Sequence, residues 1–244
     1  VFPPDTPDSV AQLTDAIRGN PYLRRGYIVV EEYLESATVQ SPSLELFVPA
    51  AGHGEPIITY LSDQLFLDDV GSTCGVFISR DLMETAWYPA LAGAGLTIAR
   101  NLQRMGYVGH FDLDTILSDD GRIFLLEVNA RRTAGTHAHE FGEYSLGPNY
   151  LDEHVVLCLN KMASGAIRDV EALESAIGEL AWPARGTNAG VVIAATSGLA
   201  AGEFGCILIA PTRDEVVGLL HVIAERLGGG ATPARGLAMN LNGA

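Results

Sequence analysis

The stretch GHFDLDTILSDDGRIFLLEVNARR, Gly109 to Arg132, constrains the fold more than any other part of the chain. Two half-apolar runs flank the turn tetrapeptide SDDG, the pattern of a β-hairpin with one buried and one polar face. Side chains alternate along a strand, so Asp112 and Asp114 share a face of the first strand, and Glu127 and Asn129 share a face of the second. Pairing through the turn gathers these oxygen ligands near the open end of the hairpin. Leu125, Leu126 and Val128 supply apolar support, and Arg131 and Arg132 follow directly.

Carboxylates crowded on a half-buried hairpin are unfavourable unless they are protonated, paired with arginine or bound to a hard cation. Asp, Glu and Asn oxygens suit Mg²⁺, which keeps some waters and shares its remaining positions with phosphate oxygens. Asp112, Asp114, Glu127 and Asn129 are therefore candidate metal ligands of a nucleotide site. Arg131 and Arg132 are candidate catalytic groups, placed to meet negative charge developing on a phosphate or acyl phosphate. The same residues also fit a plain acidic hairpin whose arginines pair across strands, and spacing alone leaves both readings open.

Upstream, a short helix is expected over Val10–Ile17, stopped by Gly19 and Pro21. YIVVEEYL, Tyr27 to Leu34, reads as a buried strand that turns acidic at its end, and SPSLELFVPA and PIITYLSDQL as two strands of an antiparallel meander. LDDVGSTCGVF, Leu67 to Phe77, reads as a loop able to wall a substrate pocket. Apolar residues at helical spacing run from Trp87 to Met105, and Gly106 is placed to end that helix. After the hairpin, the loop ARRTAGTHAHEFGEYSLGPNY is expected to lead to a helix from about Leu151 to Met162. Beyond Gly165 a helix over Val170–Leu180, the strands AGVVIAAT and CILIA and the helix RDEVVGLLHVIAERL predict a small α/β appendage.

Acidic residues outnumber basic ones 30 to 15 and the basic ones are scattered, which argues against a nucleic-acid partner. Lys161 is the only lysine, so a phosphate or carboxylate clamp within the chain must be built mainly from arginine. Cys74, Cys158 and Cys206 are far apart and lack paired metal spacing, pointing to a reducing, cytoplasmic setting. No apolar run is long enough to cross a bilayer, so no membrane partner is expected.

The combination D-x-D, S-D-D-G-R-I-F-L-L-E-V-N-A-R resembles the metal-binding hairpin of the ATP-grasp ligases. That resemblance covers about Tyr27 to Lys161 and implies an α/β (α+β) ATP-grasp fold with an antiparallel sheet and packed helices. It divides the chain into residues 1–26, a loop and short helix left from a longer N-terminal region, a catalytic region 27–165 and a C-terminal α/β appendage 166–244. It also implies ATP and Mg²⁺ as cofactors, with Asp114, Glu127 and Asn129 on the metal and Arg131 on substrate or transferred phosphate. Glu31, Glu32, Tyr33, Leu34 and Leu126 would surround adenine. The family's ribose-binding Glu falls on Thr38, and Glu45 is the substitute candidate. The Gly-rich loop, the phosphate-binding lysine and the preceding domain of that family should lie before the hinge strand, where only 26 residues stand, so a longer ligase is expected.

The loop NARRTAGTHAHEF and the tail GCILIAPTRDEVVGLLHVIAERL are most similar to the peptide ligases of pheganomycin-type biosynthesis. The implied reaction is ATP-dependent formation of an amide between a small-molecule carboxylate and the amine of an amino acid or peptide, through an acyl phosphate. His137, and with it His139, would face the acceptor substrate; His110 and His221 read as structural. Self-association into a homo-oligomer stays open. A non-catalytic ATP-grasp-like protein that binds a ligand or partner is the alternative.

Overall fold

The computed structural model of the chain describes residues 7–21, 34, 40–66, 73–184 and 187–228. The chain divides into two units, Val1–Ala37 and Thr38–Ala244. In the first, the described element is helix α1, Pro7–Gly19, with Arg18 in its last turn, where a cation meets the negative end of the helix dipole. The strand expected over Tyr27–Leu34 lies outside the described residues except for Leu34, which is half-buried.

The second unit is built on one eight-stranded sheet. Its strands are β1 (Pro42–Val48), β2 (Ile57–Phe66), β3 (Thr73–Ile78), β4 (Gly109–Leu117), β5 (Ile123–Asn129), β6 (Val155–Ala163), β7 (Gly190–Ala195) and β8 (Glu203–Ala210). They lie in the order β5-β4-β1-β2-β3-β6-β8-β7, and every neighbouring pair is antiparallel. The helices are α2 (Tyr88–Arg104), α3 (Thr136–Leu146), α4 (Val170–Ile177) and α5 (Arg213–Arg226).

Alternation along β1 and β4 decides what each face of the sheet becomes. Leu44 and Leu46 of β1, Leu61 of β2 and Phe111 and Leu113 of β4 point to one face, where they pack with Leu91 and Ala99 of α2. Burying each such Leu or Phe contributes roughly 1.5–3 kcal/mol. Farther along the same face Phe77, Leu157, Leu159 and Leu208 pack with Leu173 and Ile177 of α4 and Val216, Leu220 and Ile223 of α5. Helix α5 begins with a capping box: Thr212 accepts from the Glu215 backbone, and the Glu215 carboxylate accepts from the Thr212 N–H.

The opposite face is divided. Over β3, β6 and β8 it is apolar, with Val76, Ile78, Val156, Cys158, Ile207 and Ile209 clustered with Ala138 of α3. Over β4, β1 and β2 it is polar, carrying Asp112, Asp114, Ser43, Glu45, Tyr60 and Ser62 at paired positions.

Four expectations from sequence change here. The segment expected as a helix from Leu151 to Met162 is strand β6, because a strand between β3 and β8 with both faces covered is apolar almost continuously, and such a run mimics a buried helix. The loop expected before it contains α3, whose Ala138, His139 and Gly142 are buried. The wall expected over Leu67–Phe77 contributes β3, while residues 67–72 lie outside the described residues. The boundary expected after Gly165 falls within the sheet, since β8 pairs with β6 and β7 extends it. No helix among the described residues is long and apolar enough to cross a membrane.

Strand β3 approaches β6 so closely at Gly75 that a Cβ there would sit 2.1 Å from the Cys158 carbonyl oxygen. Backbone cannot rotate away as a side chain can, so Gly75→Ala is expected to cost about 3 kcal/mol or more, read as a lower midpoint in urea unfolding.

Candidate functional site

The hairpin closes through Ser118–Gly121: the Gly121 N–H donates to the Ser118 carbonyl at 2.9 Å, and the Ser118 N–H donates to the Arg122 carbonyl at 2.9 Å. Gly121 has φ +79, a conformation that glycine adopts without steric cost. Pairing then sets Asp112 opposite Asn129 and Asp114 opposite Glu127, with β1 placing Glu45 beside Asp112 and Ser43 beside Asp114. A register shift follows at Asp114/Thr115, so Leu126 is the extra residue on β5, 44% exposed.

Side-chain contacts link the group. The Asn129 amide nitrogen donates to Asp114 Oδ2 at 2.9 Å and to Glu127 Oε1 at 3.0 Å. Gln64 donates to Asp114 Oδ1 at 2.6 Å, and Ser43 donates to Asp112 Oδ2 at 3.0 Å. Asp112 Oδ1 is buried without a partner. Burial declines toward the sheet edge, from Glu45 (0% exposed) and Asp112 (5%) through half-buried Asp114 to exposed Glu127. Burial, reinforced by the Asp114 charge, pushes the Asp112 carboxyl up to about 7. Burial also raises Asp114, with Glu127 adding to it.

Beyond Asn129 the chain turns back over the sheet. Arg131 Nη2 donates to Asn129 Oδ1 at 3.0 Å and Nη1 to the Arg132 carbonyl at 3.2 Å. Arg132 forms an ion pair with Glu140 of α3. Glu45 receives bonds from Thr136 Oγ1 (2.7 Å), Thr133 Oγ1 (2.8 Å) and the Tyr60 hydroxyl (3.3 Å). With no exposed surface and these donors already on it, Glu45 is not available to a ribose, which corrects that expectation. Nothing in sequence spacing marks Glu45, Thr133 and Thr136 as one group; only the loop's return over β1 does.

The histidines separate. His139 is buried between Tyr60 and Tyr150, at ring-centroid distances of 4.8 and 5.5 Å, with Nδ1 2.9 Å from the Tyr150 hydroxyl. Burial drops its pKa to about 4, so it is a neutral core group that does not face a substrate. His137 is exposed, with Nε2 3.6 Å from Cys158 Sγ. His110 stacks edge-on to Phe47 and lies 3.2 Å from Glu45 Oε1, in keeping with a structural part.

No protein-family model and no curated protein matches the chain. Solved structures do. The biotin carboxylase domain of Hydrogenobacter thermophilus 2-oxoglutarate carboxylase, solved with MgADP, ADP and bicarbonate, superposes with a TM-score of 0.58 at 12% identity over 89% of this chain and 52% of that one. The Aspergillus clavatus carboxyaminoimidazole ribonucleotide synthase complexed with ATP gives a TM-score of 0.57 at 15% identity over 91% and 57%. Campylobacter jejuni biotin carboxylase gives 0.55 at 10% identity over 80% and 47%. The fold is that of the ATP-grasp enzymes. This chain spans about half the length of these structures.

Within the ATP-grasp sheet, the structure brings Asp114, Glu127, Asn129 and Arg131 into one hydrogen-bonded chain, with Leu126 exposed beside them. Arg132 is drawn aside to α3. Glu31, Glu32 and Tyr33 lie outside the described residues, and Leu34 belongs to the first unit.

Asp112 gives the ATP-grasp sheet a distinct pH signature. A carboxyl whose pKa rises from its ordinary 3.8 to about 7 on folding binds more protons folded than unfolded between those values. Its contribution is thus present below about 4 and is lost as pH rises to about 7. Asp112→Asn, which stays neutral, is expected to be more stable than the wild type by on the order of 1–3 kcal/mol at pH 8 and no more stable at pH 4, in chemical unfolding without divalent cations.

Proposed function

We propose that the chain is part of an ATP-dependent ligase that joins a carboxylate to an amine, the site being the open face of the β4–β5 hairpin. The observation that carries this reading is the register that sets Asp114 against Glu127 with Asn129 bridging them, on an ATP-grasp sheet. The neighbours with this fold are solved with ATP or MgADP, which supports ATP and Mg²⁺ as the cofactors here.

The donor set fits a hard cation. Asp114 and Glu127 present carboxylate oxygens on either side of the Asn129 amide nitrogen, whose hydrogens stand where positive charge is wanted. Among the described residues no three His, Cys, Asp or Glu side chains converge on one point. Water and phosphate oxygens would therefore complete the shell, as Mg²⁺ prefers. Bound there, Mg²⁺ would neutralise the charge of the ATP phosphates.

In the proposed reaction a substrate carboxylate oxygen bonds to the γ-phosphorus as the bond to the bridging oxygen breaks, releasing ADP. The amine nitrogen then bonds to the acyl carbon, phosphate leaves with the C–O electron pair, and the amine loses a proton. Such chemistry needs positioning and charge neutralisation and no side-chain nucleophile. Arg131 is placed to balance charge on the transferred group, and Leu126 offers an apolar contact to the adenine. An amino acid or peptide as the amine, as in the pheganomycin-type ligases, is the finer form of the reading, supported by the loop and tail likeness. His137 is its candidate acceptor contact, and soluble cytoplasmic action its setting.

The deciding experiment measures ADP release by the full-length protein with Mg²⁺-ATP across a panel of acids and amines. Release that requires both an acid and an amine supports the ligase. Glu127→Gln is expected to lower it by about 100-fold or more with the melting temperature retained. Near-normal turnover by that variant removes the hairpin from the mechanism, and absence of both turnover and Mg²⁺-ATP binding leaves the non-catalytic binding protein.

A further inference from the structure

We infer that Glu45 is a positioning residue, whose buried carboxylate clamps the loop from Arg131 to Thr136 across the sheet and so sets where Arg131 meets the transferred group. The inference rests on the ligase reading above.

Arg131 is anchored weakly by its own side chain, which among the described residues reaches Asn129 Oδ1 and the neighbouring Arg132 carbonyl. Its place is fixed from the other end of the loop. Thr133 Oγ1 and Thr136 Oγ1 donate to separate oxygens of Glu45, at 2.8 and 2.7 Å, and the Thr133 N–H donates to Thr136 Oγ1 at 2.8 Å, so the two threonines and the carboxylate close a ring. Between them Gly135 lies flat on Tyr60, where a Cβ would stand 2.6 Å from the hydroxyl oxygen. Ala134 presents its carbonyl 3.6 Å from the Cys158 thiol of β6. The loop is thus tied to three strands, β1, β2 and β6.

Burying a carboxylate is costly, and space alone is filled as well by an apolar side chain. An apolar contact leaves the loop free to slide, whereas hydroxyl bonds to two oxygens of one ionisable group fix both spacing and direction. A displacement of about 1 Å at a reacting arginine is enough to lower turnover by about 100-fold.

Thr133 is the residue to change, because it is only partly buried and touches Glu45 through its hydroxyl. In the full-length protein, with the acid and amine found by the panel, Thr133→Val is expected to lower kcat by about 10-fold or more while KM for ATP stays within about twofold. Its melting temperature is expected within about 3 °C of the wild type, and Thr133→Ser to restore turnover. Amide exchange at Thr136 and His139, measured without nucleotide, should quicken in Thr133→Val and not in Thr133→Ser. Glu45→Gln, which keeps the shape and removes the charge, provides a second variant with the same expected loss of kcat at undiminished stability. Wild-type turnover with unchanged kcat in Thr133→Val, or a loss that Thr133→Ser fails to rescue, overturns the clamp and leaves the ligase reading standing. A wild type without Mg²⁺-ATP-dependent ADP release overturns the ligase reading and the positioning role together, even where amide exchange shows the clamp as a structural tie.

Discussion

Two opposite demands meet on strand β1. Leu44 and Leu46 are fully buried under α2, while Ser43 and Glu45, alternating with them, are buried on the other face among polar neighbours. A slip of one residue would thrust the carboxylate into the α2 core and the leucines onto the polar face, so register here is held by the energies of both faces at once. Strand β4 obeys the same rule, with Phe111 and Leu113 set against Asp112 and Asp114. The site therefore needs no separate scaffold: the pattern that buries the core is the pattern that lines up the carboxylates.

The polar face is ordered by access to water. Glu45, deepest, is surrounded by hydroxyl donors, whereas Asp112 has Ser43 on one oxygen and nothing on the other. Asp114 is shared by Gln64 and Asn129, and Glu127 stands exposed at the edge. A buried acid group with a donor on one oxygen only can lower its free energy by taking up a proton, so burial, reinforced by the Asp114 charge, pushes the Asp112 carboxyl up to about 7 while the outer pair keeps its bonds to Asn129. A proton taken up by Asp112 reduces the repulsion between its carboxyl and that of Asp114 beside it.

The hairpin, α2 and α5 were legible from sequence because each carries a local signal: the SDDG turn in the hairpin, and apolar residues at helical spacing in the two helices. The gathering of Asp112, Asp114, Glu127 and Asn129 at the open end of the hairpin followed from alternation plus the turn, but the facing of Asp114 and Glu127 did not: the turn sets Leu117 opposite Ile123, and only the extra residue Leu126 brings Glu127 rather than Leu126 opposite Asp114. Strand β6 was not legible, since its apolar run comes from neighbours on both sides that lie far away in sequence. Helix α3 was hidden by its own composition, with two glycines flanking or within a histidine-rich stretch and Gly142 lodged against the Tyr150 ring. The Glu45 clamp joins residues 88 and 91 positions apart, a separation at which no spacing rule operates. What local physics encodes can be read from a chain; what the closing of the sheet creates cannot.

The charge balance on the open face bears on the order of events in the proposed reaction. Asp114 and Glu127 face it, while Arg132 is already matched with Glu140 and leaves Arg131, among the described residues, as the arginine bonded to Asn129 beside them. Lys161, the only lysine, lies on β6, three strands from β1 in the sheet order. A bare triphosphate approaching this face meets like charge at close range, where partial burial weakens screening. Asp114 and Glu127 would hold a divalent cation there, which would supply the positive charge that the Asn129 amide hydrogens supply now. On the ligase reading, metal and nucleotide are therefore partners in binding: the carboxylates that repel the phosphates alone are the ones that hold the ion which attracts them.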